Sequence, residues 1–225
     1  MKKNCLLCFL LFFSCHSALA GESLDSLLNV LDKTIKEADT YVQIKENKLH
    51  ELKKEARKTP PFSVERYNLN NDIYLEYKAY SSDSALHYLN ENMLLARQLN
   101  DKERELKIQL ELSYLLSSIG MYMEAADILN SIDRQTLPSS LLGHYYTCYE
   151  HVYFEAGAAQ PRYKMFASRY VKLSHAYRDS MQITLDPSSA TYLWLRETQL
   201  REAGKYDEAL EFSDRRLAES SFGTP

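Results

Sequence analysis

Glycine and proline are scarce, six of each in 225 residues. An all-β chain needs far more turn chemistry, so the composition argues against a sandwich or barrel. Usable cysteine is scarcer still. Cys5, Cys8 and Cys15 all fall in the first 20 residues, which leaves Cys148 alone in the remainder. A single thiol closes no internal disulfide, so the folded part must hold by packing. Beyond the first 20 residues no apolar run reaches the length of a membrane helix. Positive charge is also in deficit, with 27 Lys and Arg against 31 Asp and Glu. The formal charge is −4, or −6 with Lys2 and Lys3 set aside. An acidic chain is a poor partner for nucleic acid. Catalytic signatures are missing too: there is no Gly-rich phosphate loop with Lys-Ser/Thr, no Gly-x-Ser-x-Gly elbow and no His-Glu-x-x-His. Carboxylates lie among lysines on helix faces, as solvated surface does. The chain therefore reads as a non-enzyme without a cofactor.

What is present begins with a leader. Lys2 and Lys3 precede an apolar run from Leu6 to Phe13, and Ala18-Leu19-Ala20 stands before Gly21 as a small-x-small cleavage site. Residues 1–20 read as a secretory signal peptide, and the mature chain as an exported, periplasmic protein. Inside the leader, Phe12-Phe13-Ser14-Cys15 loosely resembles a lipoprotein box with Cys15 as the lipidated residue.

Residues 22–60 follow as one long helix from Ser23 to Lys58. Leu24, Leu28, Leu31, Ile35, Ala38, Val42, Lys45, Leu49, Leu52 and Ala56 alternate steps of four and three. That is a heptad seam. It fits an amphipathic helix packed on the next hairpin, or a coiled coil pairing two copies in which Lys45 limits the number of strands. Thr59-Pro60-Pro61 ends the helix.

The recurring stretch is Gly120-Met121-Tyr122-Met123-Glu124-Ala125, which returns as Gly204-Lys205-Tyr206-Asp207-Glu208-Ala209. Gly ends a helix in a left-handed conformation, and Ala lets a neighbouring helix approach closely. Ala85, Ala125, Ala167 and Ala209 stand 40, 42 and 42 residues apart. Gly, an aromatic two on, Ala five on and a large residue nine on is the pattern of the tetratricopeptide repeat (TPR) family, which this chain resembles. Gly120, Tyr122, Ala125 and Leu129 match all four places; Gly204, Tyr206 and Ala209 match three. The turns before Ala85 and Ala167 lack the Gly. The usual TPR period is about 34 residues, and the extra length falls in Leu137-Pro138-Ser139-Ser140 and Leu185-Asp186-Pro187-Ser188-Ser189. In each loop a Pro stops one helix and a Ser caps the next. The fold expected is an all-α right-handed solenoid of about four hairpins over residues 63–219, preceded by the heptad helix.

The resemblance also implies a groove lined by the first helix of each pair. Carrying the family's positions across gives Tyr67, Asn70, Tyr74 and Tyr77 in unit one, and Lys107, Leu110, Tyr114 and Ser117 in unit two. Unit four gives Thr191, Trp194, Thr198 and Arg201. Unit three is shifted by its insertion, and Tyr145, Tyr149 and Val152 are placed there. Such a groove is aromatic and suits a protein or peptide segment. Packing between helices is the other use for these tyrosines. The lysines that clamp a C-terminal carboxylate in TPR domains are not reproduced beside Asn70.

His144, Cys148 and His151 share one helix face, and imidazole and thiolate suit zinc or copper. Three ligands on one helix diverge along its axis, so the alternative is a packed face with Cys148 as a small apolar residue. Ala209, Leu210, Phe212 and Leu217 have no later helix to cover them, so either the array packs on another molecule or, the reading favoured, the chain continues past the short tail of residues 220–225.

A narrower resemblance rests on Ser23 to Leu28, Glu65 to Asn70 and Asp83 to Asn90. These segments are similar to the exported part of a bacterial membrane-anchored regulator family with a TPR array, a membrane helix and a cytoplasmic domain of unknown function. It implies a sensing or scaffolding module that binds protein. The alternative is a lipid-anchored, glycan- or nutrient-binding component of a surface uptake complex.

Overall fold

The computed structural model describes residues 24–160 and 162–219. The leader with Cys15 and the tail of residues 220–225 lie outside the described residues. The described chain falls into two compact units, one ending at Lys48 and one running on from Leu49.

In the first unit residues 24–36 are helical, Glu37 is a turn, and α1 (Ala38–Ala56) begins after it. The expected single helix is therefore interrupted once. The seam also divides. Leu24, Leu28, Leu31, Ile35 and Val42 are exposed, whereas Leu49 and Ala56 are buried in the second unit with Leu52 packed beside them. Packing on the hairpins therefore accounts for the seam only from Leu49 onward.

The second unit is four helical hairpins. α1 stops where the Thr59 hydroxyl donates to the Ala56 carbonyl at 2.8 Å and Pro60-Pro61 follows. Arg66 holds that corner, its Nε donating to the Thr59 hydroxyl at 2.8 Å. Ser63 caps α2 (Val64–Tyr77) by accepting from the Arg66 amide. α3 (Ser82–Gln98) ends at Asn100, which takes φ 51°. Asp101 then caps α4 (Lys102–Ser118). Gly120 turns at φ 89° into α5 (Tyr122–Ser131). α6 (Ser139–Ala158) and α7 (Lys164–Thr184) form the third pair. Ser189 caps α8 (Ala190–Glu202), and Gly204 turns at φ 74° into α9 (Tyr206–Glu219). The corresponding expectation for Ser139 fails: it is the first residue of α6, and Pro138 before it makes no side-chain cap.

Each first helix packs on its own second helix, and each second helix on the next first helix; α4 also packs directly on α6. Ala85 and Ala125 are fully buried at these crossings and Ala209 nearly so. Ala167 is only half-buried. In that unit Gly157 gives the close approach instead, where a Cβ would meet Tyr170 at 3.4 Å. α4 and α6 are buried on more than one side. Ile108 and Leu115 of α4 enter the first core, with α1 to α3, while Leu110 enters the second, with α5 to α8.

The left-handed turn at Gly120 supplies a first test. Nothing crowds its Cα, so Gly120→Ala adds no clash, only backbone strain of about 1–2 kcal/mol. Urea unfolding should register that loss with helicity unchanged.

Candidate functional site

The groove lies along the first helices of the second, third and fourth hairpins. Among the described residues the backbones of α6 and α8 do not come within 8 Å of each other, although α4 and α6 do. Side chains therefore line the space between α4, α6 and α8. It is a cavity of about 610 Å³ bounded by Lys78, Glu111, Tyr114, His144, Thr147, Glu150, His151, Phe154, Glu155, Ala190, Thr191, Trp194 and Arg216.

One wall is a polar cluster centred on Glu111. The Tyr74 hydroxyl donates to its carboxylate at 2.6 Å and Lys78 Nζ at 3.0 Å, while His144 Nε2 stands 3.6 Å away. Burial pushes the Glu111 carboxyl up, but Lys78, His144 and the Tyr74 hydrogen bond outweigh it and hold it below the usual range. Burial and the charge of Glu111 likewise push the Tyr74 hydroxyl up, so it stays a donor. Lys78 Nζ lies 4.4 Å from the centre of the Tyr114 ring, and His151 stacks on that ring at 4.0 Å. His151 Nε2 shares a hydrogen bond of 2.9 Å with the Ser118 hydroxyl. The Tyr114 ring is thus already engaged.

A second part of the lining is apolar. Phe154 is 45% exposed and Trp194 half-buried. Their ring centres lie 5.8 and 5.9 Å from the Arg178 guanidinium. Arg178 is itself buried, its Nε donating to Glu150 at 2.8 Å and its Nη1 to Glu202 at 2.8 Å. Ser174 donates to Glu150 as well, at 2.9 Å. The two aromatic surfaces left open to a ligand are therefore Phe154 and Trp194, set on a fixed charge network.

The positions carried over from the TPR pattern scatter. Tyr114, Trp194 and Thr191 line the groove. Lys107 is exposed and borders a smaller hollow of about 290 Å³ with Tyr67, Asn68, Asp101, Glu103, Arg104 and Leu141. Tyr67 is otherwise buried, with the Arg104 guanidinium over its ring. Tyr74 and Leu110 are fully buried, and Asn70, Tyr77, Ser117 and Thr198 nearly so; none of them lines the groove. Tyr77 faces α1, accepting from Lys53 Nζ at 2.6 Å. Arg201 is exposed and 3.7 Å from Glu197. In unit three Tyr145, Tyr149 and Val152 fill the core. The groove is met instead by His144, Thr147, His151 and Phe154, spaced three, four and three residues apart on one face of α6. That spacing was legible; its direction was not.

His144, Cys148 and His151 do not converge. The two imidazoles face the groove, while Cys148 is fully buried with its thiol directed at the Leu110 carbonyl at 3.3 Å. Burial pushes that thiol well up. Among the described residues no group of three or more His, Cys, Asp or Glu could hold a metal ion.

Burial, aided by Lys78, pushes His151 down from 6.5 to about 4. The unfolded chain then binds a proton that the folded chain refuses. Stability should fall as pH drops from about 6.5 toward about 4, and His151→Gln should flatten that slope. Urea midpoints at pH 7 and pH 5 measure the difference.

Stacked helical pairs with left-handed glycine turns and a side-chain-lined face on the first helices define a TPR-type solenoid. The chain belongs to the SusR N-terminal TPR domain family, which it matches over residues 35–225. No curated protein and no solved structure matches it. Among the described residues no helix is long and apolar enough to cross a membrane.

Proposed function

We propose that this chain is the protein-binding module of an envelope regulator of the SusR type, exported to the periplasm, where it senses or scaffolds by holding a partner segment in the groove. The observation that carries this reading is the groove's division of labour. Phe154 and Trp194 offer apolar area, and aromatic residues of this kind concentrate binding energy at interfaces. Glu111, Lys78 and His144 line the same groove as fixed polar groups able to orient a backbone or side chain. The partner is expected to insert an apolar side chain between Phe154 and Trp194. Tyr74, fully buried, takes no part in contact.

Trp194 is the only tryptophan, so its fluorescence reports the groove directly. A partner segment recovered by affinity capture should shift that emission on titration. Replacing Phe154 and Trp194 together by Ala should weaken binding by tenfold or more, with circular dichroism unchanged. Unchanged binding would reject the groove.

A further inference from the structure

The exposed apolar part of the N-terminal seam points to a second copy of this chain. We propose that residues 24–45 pair with the same residues of that copy as a parallel, two-stranded coiled coil.

In heptad terms Leu28, Ile35 and Val42 occupy a positions, and Leu24, Leu31, Ala38 and Lys45 occupy d positions. The five large apolar residues among them are between 46% and 61% exposed. The next seam positions, Leu49, Leu52 and Ala56, belong to the core of the second unit, so the available seam ends at Lys45. At Glu37 the ladder tightens: the Glu37 carbonyl accepts from the Thr40 amide at 2.9 Å as well as from the Tyr41 amide at 3.3 Å, while the Glu37 amide still bonds to the Lys33 carbonyl at 3.0 Å.

Strand number and direction follow from residue type. β-branched Ile35 and Val42 at a, with Leu24 and Leu31 at d, favour two strands in parallel. The flanking e row is acidic throughout: Asp25, Asp32, Asp39 and Glu46. An antiparallel pair would set this row against its own copy, carboxylate against carboxylate. A parallel pair sets it against the g row of Leu27, Thr34, Tyr41 and Lys48, which carries no acid. Parallel pairing also places Lys45 at d beside Glu46 of the other copy, giving the seam's one charged layer an opposite charge. A membrane surface fits the same face less well. Such helices are rich in Lys and Arg, whereas between residues 24 and 48 Asp25, Asp32, Glu37, Asp39 and Glu46 outnumber Lys33, Lys36, Lys45 and Lys48. Pairing would give each assembly two grooves, and a partner with two copies of its segment would gain avidity.

Sedimentation equilibrium of the full chain should show a concentration-dependent dimer. Leu28→Asp with Ile35→Asp should hold the mass at that of the monomer at every concentration while the hairpins keep their thermal transition. The control, Asn29→Asp with Lys33→Asp on the outer face, should stay dimeric. Val42→Cys lies far from the seam's midpoint, so oxidation links two copies there only if they run parallel. Peptide mass spectrometry should find the bond between the two introduced thiols, as distinct from one to Cys5, Cys8, Cys15 or the buried Cys148. A wild-type monomer at high concentration, an assembly of three or more chains, a dimer that survives the paired Asp changes, or no link at Val42→Cys would each overturn the proposal.

Discussion

Arg178→Met should lower stability by about 3–5 kcal/mol, because it leaves Glu150 charged and buried without its partner. The side chains of Arg178 and Glu150 are only 4% and 3% exposed. The guanidinium joins three helices: α7, which carries it, α6 through Glu150, and α8 through Glu202. With the α6 and α8 backbones apart, this polar tie is a main link between the third and fourth hairpins. Hydrogen exchange should therefore quicken first in α8 and α9. Replacing Glu150 by Leu in the same chain should recover most of the loss, since an apolar pair avoids burying charge. Glu202 is half-exposed and can turn to water. Equal loss in the single and double variants, by urea unfolding at pH 7, would mean that the cost lies in packing around Phe154 and Trp194.

The second large effect concerns Tyr74. Tyr74→Ala removes a fully buried aromatic side chain and should cost about 3–5 kcal/mol. Tyr74→Phe keeps the ring and removes only the hydrogen bond to Glu111, costing about 1.5–3 kcal/mol. The pH dependence separates the two causes. Glu111 is held below its ordinary pKa of 4.5 when folded, so its contribution is present above that value and lost as pH falls through its folded pKa. Without the Tyr74 hydroxyl the folded value moves back up. Tyr74→Phe should therefore lose less stability than the wild type between neutral pH and pH 3. An identical acid slope in both proteins would separate Tyr74 from the charge of Glu111.

Much of the architecture could be read from local patterns. Gly120 and Gly204 take positive φ, Asp101, Ser63 and Ser189 cap, and Thr59-Pro60-Pro61 stops α1, each by chemistry confined to a few neighbouring residues. The site was legible only in part. Tyr114 and Trp194 line the groove, but Tyr67, Asn70, Tyr74 and Tyr77 went inward, toward α1, α3 and α4. Unit three was read one position out of phase: Tyr145 and Val152 are core, and their neighbours His144 and His151 are the ones that face the groove. A step of one residue turns a helical side chain through about 100°, enough to exchange wall for core. Glu111 and Lys78 escaped notice because charged residues on a helix ordinarily signal solvated surface, and here two elements bring them together around Tyr74.

Helix identity, turn position and pairing order belong to the chain itself, since each is decided by backbone preference and by apolar spacing within one element. The face that each helix turns toward the groove does not. α4 and α6 are buried on several sides and carry no single polar stripe, so only their neighbours choose the orientation. The same holds for the N-terminal seam, whose pattern runs unbroken through Ala56 while the core accepts it only from Leu49 onward. Burial is a relation between elements, and periodicity along one of them reports that a face is apolar without saying what will cover it.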